Sequence, residues 1–328
     1  MSRDTLSRPE PAVRKRARKD TGSRPRRASR TEARNARAAA GFVLPFLALF
    51  GLCFIAPIGY ALYQSLQKTE RAGPLGLGGR EQETFAGLAN YAHALADDRF
   101  LTGFGRVLLF GAVQIPLMIV LATALALLLE SASARGVAFF RSAFFLPYGV
   151  PGVIASILWG FLYVPGISPL VKTADFVGWD VDFLSRGTVL WSIANIVTWQ
   201  FTGYNMLVLI AQLKAVPGEL YEAARIDGAS AWQVARHIKL PLIRPALVLT
   251  TVFSIIGTLQ LFAEPMVLRP LASSIDSGFT PNLHAYSEAF VGNNQHVAAA
   301  EAVLLAVVAC VLSFGFLRLA GGRAKGHG

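Results

Sequence analysis

The chain alternates long apolar runs with short polar connections, and the runs have the length of a membrane crossing. They lie near residues 39–64, 105–129, 140–163, 188–212, 246–268 and 297–317. A bilayer core about 30 Å thick needs roughly 20 apolar residues in a helix, a length these stretches reach. The third and fourth are interrupted by polar or small residues, so their ends are less sharply marked. The pattern predicts an all-α, polytopic membrane protein with six transmembrane helices. Composition agrees, since 16% of residues are charged against about 25% in an average globular chain.

The formal net charge of +11 would suggest a nucleic-acid partner if it were spread along the chain. It is concentrated instead in residues 1–37, where 13 Lys/Arg face 4 Asp/Glu and give +9, which leaves +2 for the remainder. The tail is rich in Arg, Pro and Ser and has no apolar period, so it reads as disordered. A solvated extension drawn to anionic membrane lipid fits this composition, with an RNA-binding arm as the alternative; no nucleic-acid partner is expected. Its length and Arg density, with no small-residue cleavage site after the first apolar run, argue against a signal peptide.

Lys and Arg are retained on the cytoplasmic side, so the connections report orientation. Residues 65–104, 164–187 and 269–296 carry little excess positive charge and belong outside. The tail, the turn holding Arg135 and Arg141, the 214–245 segment and the C-terminus belong inside. Both termini are thus expected on the cytoplasmic side of the membrane. The expected organisation is a basic tail (1–37), a membrane domain (38–320) containing a large inside loop (217–245), and a short tail (321–328).

Within that loop the stretch LYEAARIDGASAWQVARHIKLP has its own grammar. Pro217 suits a first helical position, and Glu219 and Glu222 favour the positive end of a helix dipole. Leu220, Ala223 and Ala224 share one face at helical spacing, and the face is small enough for another backbone to come close. Gly228 interrupts the helix where the chain must reverse. Ser230 and Gln233 have capping-box spacing and start a second helix, lined on one side by Trp232, Ala235 and Ile238 and ended by Pro241 and Pro245. An amphipathic hairpin lying on the inner leaflet has the same features.

Glu222-Ala223-Ala224, three residues, Gly228, nine residues, then Ile238-Lys239-Leu240-Pro241 resembles, at every defining position, the EAA loop of the permease subunits of bacterial ABC importers. The stretches at 139–163, 201–230, 257–268 and 282–290 are similar to the carbohydrate-uptake group of that family, of the type of the maltose and glycerol-phosphate systems' first permease. The resemblance covers about residues 40–318 and leaves out the basic tail. It implies the type I permease fold and a coupling helix docked in a groove of a cytoplasmic ATPase. Glu222 would then pair with a basic residue of that ATPase, Ala223 and Ala224 would permit close packing, Gly228 would form the bend, and Asp227, Ile238, Leu240 and Pro241 would complete the docking element. The implied partners are two ATPase subunits, an extracytoplasmic sugar-binding protein and a second homologous permease, a homodimer being the alternative to a heterodimer. The implied cofactors, ATP and Mg, sit on the ATPase, and none is expected in this chain.

The chemistry absent from the sequence points the same way. It has no G-x(4)-G-K-[ST], and GPLGLGG (73–79) lacks the lysine that would make it a phosphate loop. Cys53 and Cys310 lie far apart in apolar stretches, and His93, His237, His284, His296 and His327 are scattered without ligand spacing. These histidines read as solvated, Arg106 and Glu130 as side chains that snorkel from span ends. No enzyme constellation is visible. A secondary transporter or channel is the competing reading, but it has no use for a docking loop, and the internal repeat common in such carriers is not seen.

Polar groups inside a bilayer are costly and need a reason. Trp199, Gln200, Tyr204 and Asn205 in the fourth span, and Gln260, Phe262 and Glu264 in the fifth, offer the aromatic surface and planar hydrogen-bonding groups that a neutral sugar requires. Each can equally satisfy a neighbouring helix. Gln260 and Glu264, four apart, are expected on one helical face along the path.

Overall fold

The computed structural model describes residues 30–72, 80–131 and 134–322. Two compact units divide the chain at Pro57 and Ile58. The first contains α1 (Arg30–Phe50), a π-helical turn at Gly51–Ile55, and the start of α2 (Ala56–Ser65). Phe46, Phe50 and Phe54 stack in series along it at 6.0 and 5.3 Å. Because α1 begins at Arg30, the last residues of the predicted tail, 30–37, are helical, and residues 1–29 lie outside the described part.

In the second unit the chain forms an antiparallel hairpin of β1 (Gln67–Ala72) and β2 (Arg80–Phe85), with Gln67 opposite Phe85. Among the described residues this hairpin is the one strand pair in an otherwise helical chain. Neither QKTERA nor REQETF has a helical apolar face, and the glycine-rich stretch joining them, 73–79, lies outside the described residues. The hairpin is followed by α3 (Ala89–Ala96) and α4 (Asp98–Leu129), the latter started by the Asp97 carboxylate accepting from the N–H groups of Arg99 and Phe100.

The third predicted span is not one helix. α5 (Val137–Phe145) runs through a 3₁₀ turn at Leu146–Gly149 and then bends by 98° into α6 (Gly152–Tyr163). Pro151 supplies no N–H and forces Val150 into an extended conformation (ψ 124°), so the helix cannot continue through it. After α7 (Pro169–Phe176) comes α8 (Val189–Lys214), then α9 (Glu219–Ile226), α10 (Ala231–Val234), a π-helical turn at Ala235–Lys239, and α11 (Leu240–Leu242). The remaining elements are α12 (Arg244–Leu259), α13 (Ala263–Leu268), α14 (Pro281–Phe290) and α15 (Gln295–Gly322).

Among the described residues four segments are long and apolar enough to cross a membrane: Ala39–Ser65, Asp98–Leu129, Arg244–Leu268 and Gln295–Ala320. The bent pair makes a fifth if counted as one span. α8 has 26 residues, about 39 Å at 1.5 Å per residue. Its length allows a sixth crossing, but Asn195, Gln200 and Asn205 dilute its apolarity.

Two apolar clusters hold the second unit together. One gathers Phe110, Tyr163, Ile193, Ile196, Leu268, Phe279 and Leu283 at the end where the strands lie. The other gathers Ala122, Ala126, Met206, Leu209, Leu213 and Ile243 towards the α9–α10 hairpin. Gly203 of α8 fixes one close approach: a β-carbon there would overlap the Phe144 carbonyl oxygen. α8 therefore touches the backbone of the bent pair directly.

Candidate functional site

Between the two clusters α4, α8 and α12 enclose a cavity of about 190 Å³. Its wall includes Gln114, Met118, Phe201, Tyr204, Asn205 and Glu264. That is smaller than the roughly 300–1,000 Å³ of ordinary ligand pockets. Tyr204 stacks on Tyr148 at 4.7 Å and Phe201 meets the same ring edge-on at 5.8 Å, giving the wall a continuous aromatic side. Asn205 donates to the Phe201 carbonyl at 3.1 Å. Gln114, 1% exposed, donates to Thr198 Oγ1 at 3.3 Å while its Oε1 has no partner among the described residues. An unpaired buried carbonyl oxygen is costly.

Of the seven residues the sequence suggested for a path, Tyr204, Asn205 and Glu264 line this cavity. Glu264 is buried, and its Oε1 lies 3.7 Å from where a β-carbon on Gly152 would be, at the start of α6. The unpaired N–H groups of a helix start favour a carboxylate there. Gln200 serves the bent pair instead: its Nε2 donates to the Val150 carbonyl at 2.8 Å, satisfying backbone freed by the break. Trp199 meets Trp159 edge-on at 5.7 Å, and Phe262 packs on Tyr286 at 5.3 Å.

The expected shared face of Gln260 and Glu264 is corrected. Pro265 cannot donate to the carbonyl four residues back, so α12 stops at Leu259, Phe262 adopts φ −145° and α13 starts afresh. Gln260 is left exposed at the break. Sequence reading missed Gln114, Phe201, Ser254 and Thr258 in the wall. Gln114 was findable as a lone amide in an otherwise apolar run; the others have ordinary span composition and depend on packing.

The α9–α10 hairpin lies beyond the far end of α4. Its bend is a Schellman closure: Ala229 N–H donates to the Ala224 carbonyl at 2.9 Å and Gly228 N–H to that of Arg225 at 3.0 Å. Gly228 has φ +81°, which only glycine adopts without strain. The capping box is complete, with Ser230 Oγ accepting from Gln233 N–H and Gln233 Oε1 accepting from Ser230 N–H at 2.7 Å. Two expectations shift. Pro217 precedes α9, which starts at Glu219, and Pro241 does not end the second helix. The wide turn at Ala235–Lys239, closed by Leu240 N–H to the Ala235 carbonyl, makes room for the proline ring, and helix resumes through Leu242.

Glu222, Ala223, Asp227, Gly228, Leu240 and Pro241 are exposed, Ala224 and Ile238 half-buried. Ile226 at 87% and Trp232 at 69% exposure add an apolar surface beside them. The hairpin is tied down from behind. Lys239 Nζ donates to the Glu130 carbonyl at 2.9 Å and lies over the Tyr221 ring at 5.4 Å. Glu130 itself pairs with Arg141. Burial pushes the Lys239 ammonium below its ordinary range, opposed by the nearby Glu130. Arg106 and Glu130 therefore have fixed partners, Arg106 donating to the Phe279 carbonyl at 2.7 Å.

At the opposite end two of the histidines read as solvated are buried. His296 contacts Gln64 O at 3.1 Å and Thr69 Oγ1 at 3.0 Å. His284 Nδ1 sits 2.9 Å from Glu301 Oε1, with Asp97 at 3.7 Å from its other nitrogen. The hydrogen bond to Glu301 holds His284 above the usual imidazole range, against the effect of burial. Among the described residues no group of three or more potential ligands is placed to hold a metal.

This arrangement, helices long enough to cross a bilayer around a small, largely apolar cavity with a few polar groups and an exposed helical hairpin at one end, is that of a multi-pass membrane protein. Residues 118–325 match the family "Binding-protein-dependent transport system inner membrane component", and the chain belongs to it. It is 32% identical over 301 residues to the trehalose transport system permease protein SugA of Mycobacterium tuberculosis, covering 91% of this chain and 94% of that protein. It is 31% identical over 283 residues to the lactose transport system permease protein LacF of Rhizobium radiobacter, covering 83% and 90%. It is 30% identical over 331 residues to the diacetylchitobiose uptake system permease protein NgcF of Streptomyces coelicolor, covering 96% and 90%. A chain in the crystal structure of a bacterial ABC transporter involved in the import of the acidic polysaccharide alginate has the same fold, with TM-score 0.75 over 90% of this chain and 98% of that one at 19% identity.

Proposed function

We propose that this chain is a permease subunit of an ATP-driven importer that receives a sugar from an external binding protein and passes it to the cytoplasm. The observation that carries the coupling half of this reading is the hairpin. Its E-A-A-x(3)-G-x(9)-I-x-L-P spacing coincides with an exposed, rigidly capped bend backed onto the end of α4. Glu222, Ala223, Ala224, Asp227, Gly228, Ile238, Leu240 and Pro241 form the docking element for a separate ATPase that carries ATP and Mg. The Lys239 and Glu130 contacts pass its displacement to α4, and the short α11 passes it to α12, as a rigid-body switch. The sugar half rests on the relatives, which are transport permeases for trehalose, lactose and diacetylchitobiose, and on a cavity wall of aromatic rings and amides.

The hairpin faces the cytoplasm with both termini, and the strands face the binding protein. A second, homologous permease completes the pathway, and two ATPase subunits complete the complex. Gly228→Asp tests the coupling: the permease is expected to reach the membrane, lose ATPase co-purification and take up no sugar. Normal assembly and normal uptake by that variant would sink the assignment. A panel of radiolabelled trehalose, lactose and diacetylchitobiose, taken up by cells with and without this chain, tests the cargo class.

A further inference from the structure

At the strand-bearing end, separate from the central cavity, α6, the segment after α7 and the start of α8 enclose a second pocket of about 430 Å³. Trp159, Tyr163, Phe183 and Trp191 line it, together with Asn195 and Thr188. Three of the rings form a graded stack, Trp159 to Tyr163 at 5.6 Å and 34° and Tyr163 to Phe183 at 5.2 Å and 29°. Trp199, meeting Trp159 edge-on, extends the series towards the interior along α8.

The Tyr163 ring is buried between its two neighbours, whereas Trp191 and Asn195, four apart on α8, are exposed at the pocket; hydrogen bonds fix the stack behind them. Asn195 donates to the Tyr163 hydroxyl at 2.9 Å, that hydroxyl donates to the Ser192 carbonyl at 3.0 Å, and Ser192 Oγ donates to the Phe183 carbonyl at 2.7 Å. Trp159 Nε1 is the exception, a buried donor with no partner among the described residues. A pyranose ring can lay its C–H face on the plane of an exposed indole such as Trp191 while its edge hydroxyls meet Asn195 and Thr188 in the same wall. The volume falls within the roughly 300–1,000 Å³ range of ligand pockets.

We infer that this pocket is an entry subsite for a sugar ring, at which Trp191, with Asn195 and Thr188 beside it and the Trp159–Tyr163–Phe183 stack as support behind, takes a pyranose before it reaches the central cavity. The inference rests on the sugar-importer reading for its ligand class and goes beyond it in naming the residues. Trp191, 41% exposed on the rim, is the contact that can be changed with least disturbance to the core.

The test is saturation-transfer NMR on the purified transporter containing the full chain, irradiating aromatic protons and observing trehalose, lactose and diacetylchitobiose, with glucitol as an acyclic polyol that has no flat ring face. Transfer to the ring sugars, little to glucitol, about tenfold weaker binding in Trp191→Leu and retention in Trp191→Phe are expected. No transfer in the unmodified protein, equal transfer to glucitol, an unchanged Trp191→Leu, or equal loss in both variants overturns the subsite; the first result also follows if a helix of the second permease fills the pocket. Cell uptake separates the two claims. Uptake without transfer removes the subsite and keeps the importer; transfer without uptake does the reverse.

Discussion

The α9–α10 hairpin and the central cavity are built on opposite principles. Every bond that shapes the hairpin bend joins residues within a few positions of one another: Ala224 with Ala229, Arg225 with Gly228, Ser230 with Gln233. The cavity joins α4, α8 and α12, so Gln114 meets Thr198 and Glu264 comes near Gly152 only after the helices have packed. The hairpin is a local fold with an exposed surface, whereas the cavity is a property of the assembled bundle. A change in the bundle is therefore expected to act on global stability, and a change in the hairpin to act locally and, on the proposed function, on coupling.

The largest effect is expected at Gly203. Gly203→Ala places a β-carbon into the Phe144 carbonyl oxygen, and forced overpacking of this kind costs up to about 3 kcal/mol. Thermal unfolding of the purified protein should occur at clearly lower temperature; an unchanged midpoint would mean that α8 does not touch the bent pair. Gly228→Ala comes next, because φ +81° strains an L-residue by about 1–2 kcal/mol. Faster amide hydrogen exchange over residues 219–234 with α4 and α8 unaffected would sharpen the contrast, and a global loss of protection would break it.

Gln114→Leu inverts the pattern. It removes a buried acceptor that has no partner among the described residues, so stability should change by less than about 1 kcal/mol, while sugar uptake falls. If uptake holds, the cavity wall does not touch the cargo. The smallest effect concerns pH. His284 is held above its usual range, so its protonated form stabilises the fold below about pH 6.5. That contribution is lost as pH rises through the folded-state value. The unfolding midpoint should decline on passing from mildly acidic to mildly alkaline buffer, and His284→Gln should flatten that slope without altering exchange in the hairpin.

The helices, the hairpin and its caps were readable because their signals lie within a few residues: apolar length for a span, Gly228 for a reversal, Ser230 and Gln233 for a cap. Readings that needed a distant partner went astray. His284 looked solvated because Glu301 is 17 positions away. Arg106 looked free because its acceptor is the carbonyl of Phe279, 173 positions on. Gln200 looked like a path residue because nothing in the sequence shows that the Val150 carbonyl, exposed by the Pro151 break, needs a donor.

By itself the sequence determined the helical membrane class, the bent α9–α10 hairpin and the family spacing within it, since composition, periodicity and capping act through neighbours along the chain. Tertiary structure decided the 98° break in the third span, which polar side chains face the cavity and which repair backbone, and the gathering of four aromatic residues into a second pocket. Those depend on helices meeting across the bundle, where one proline or one glycine sets the approach of segments that the chain order keeps apart.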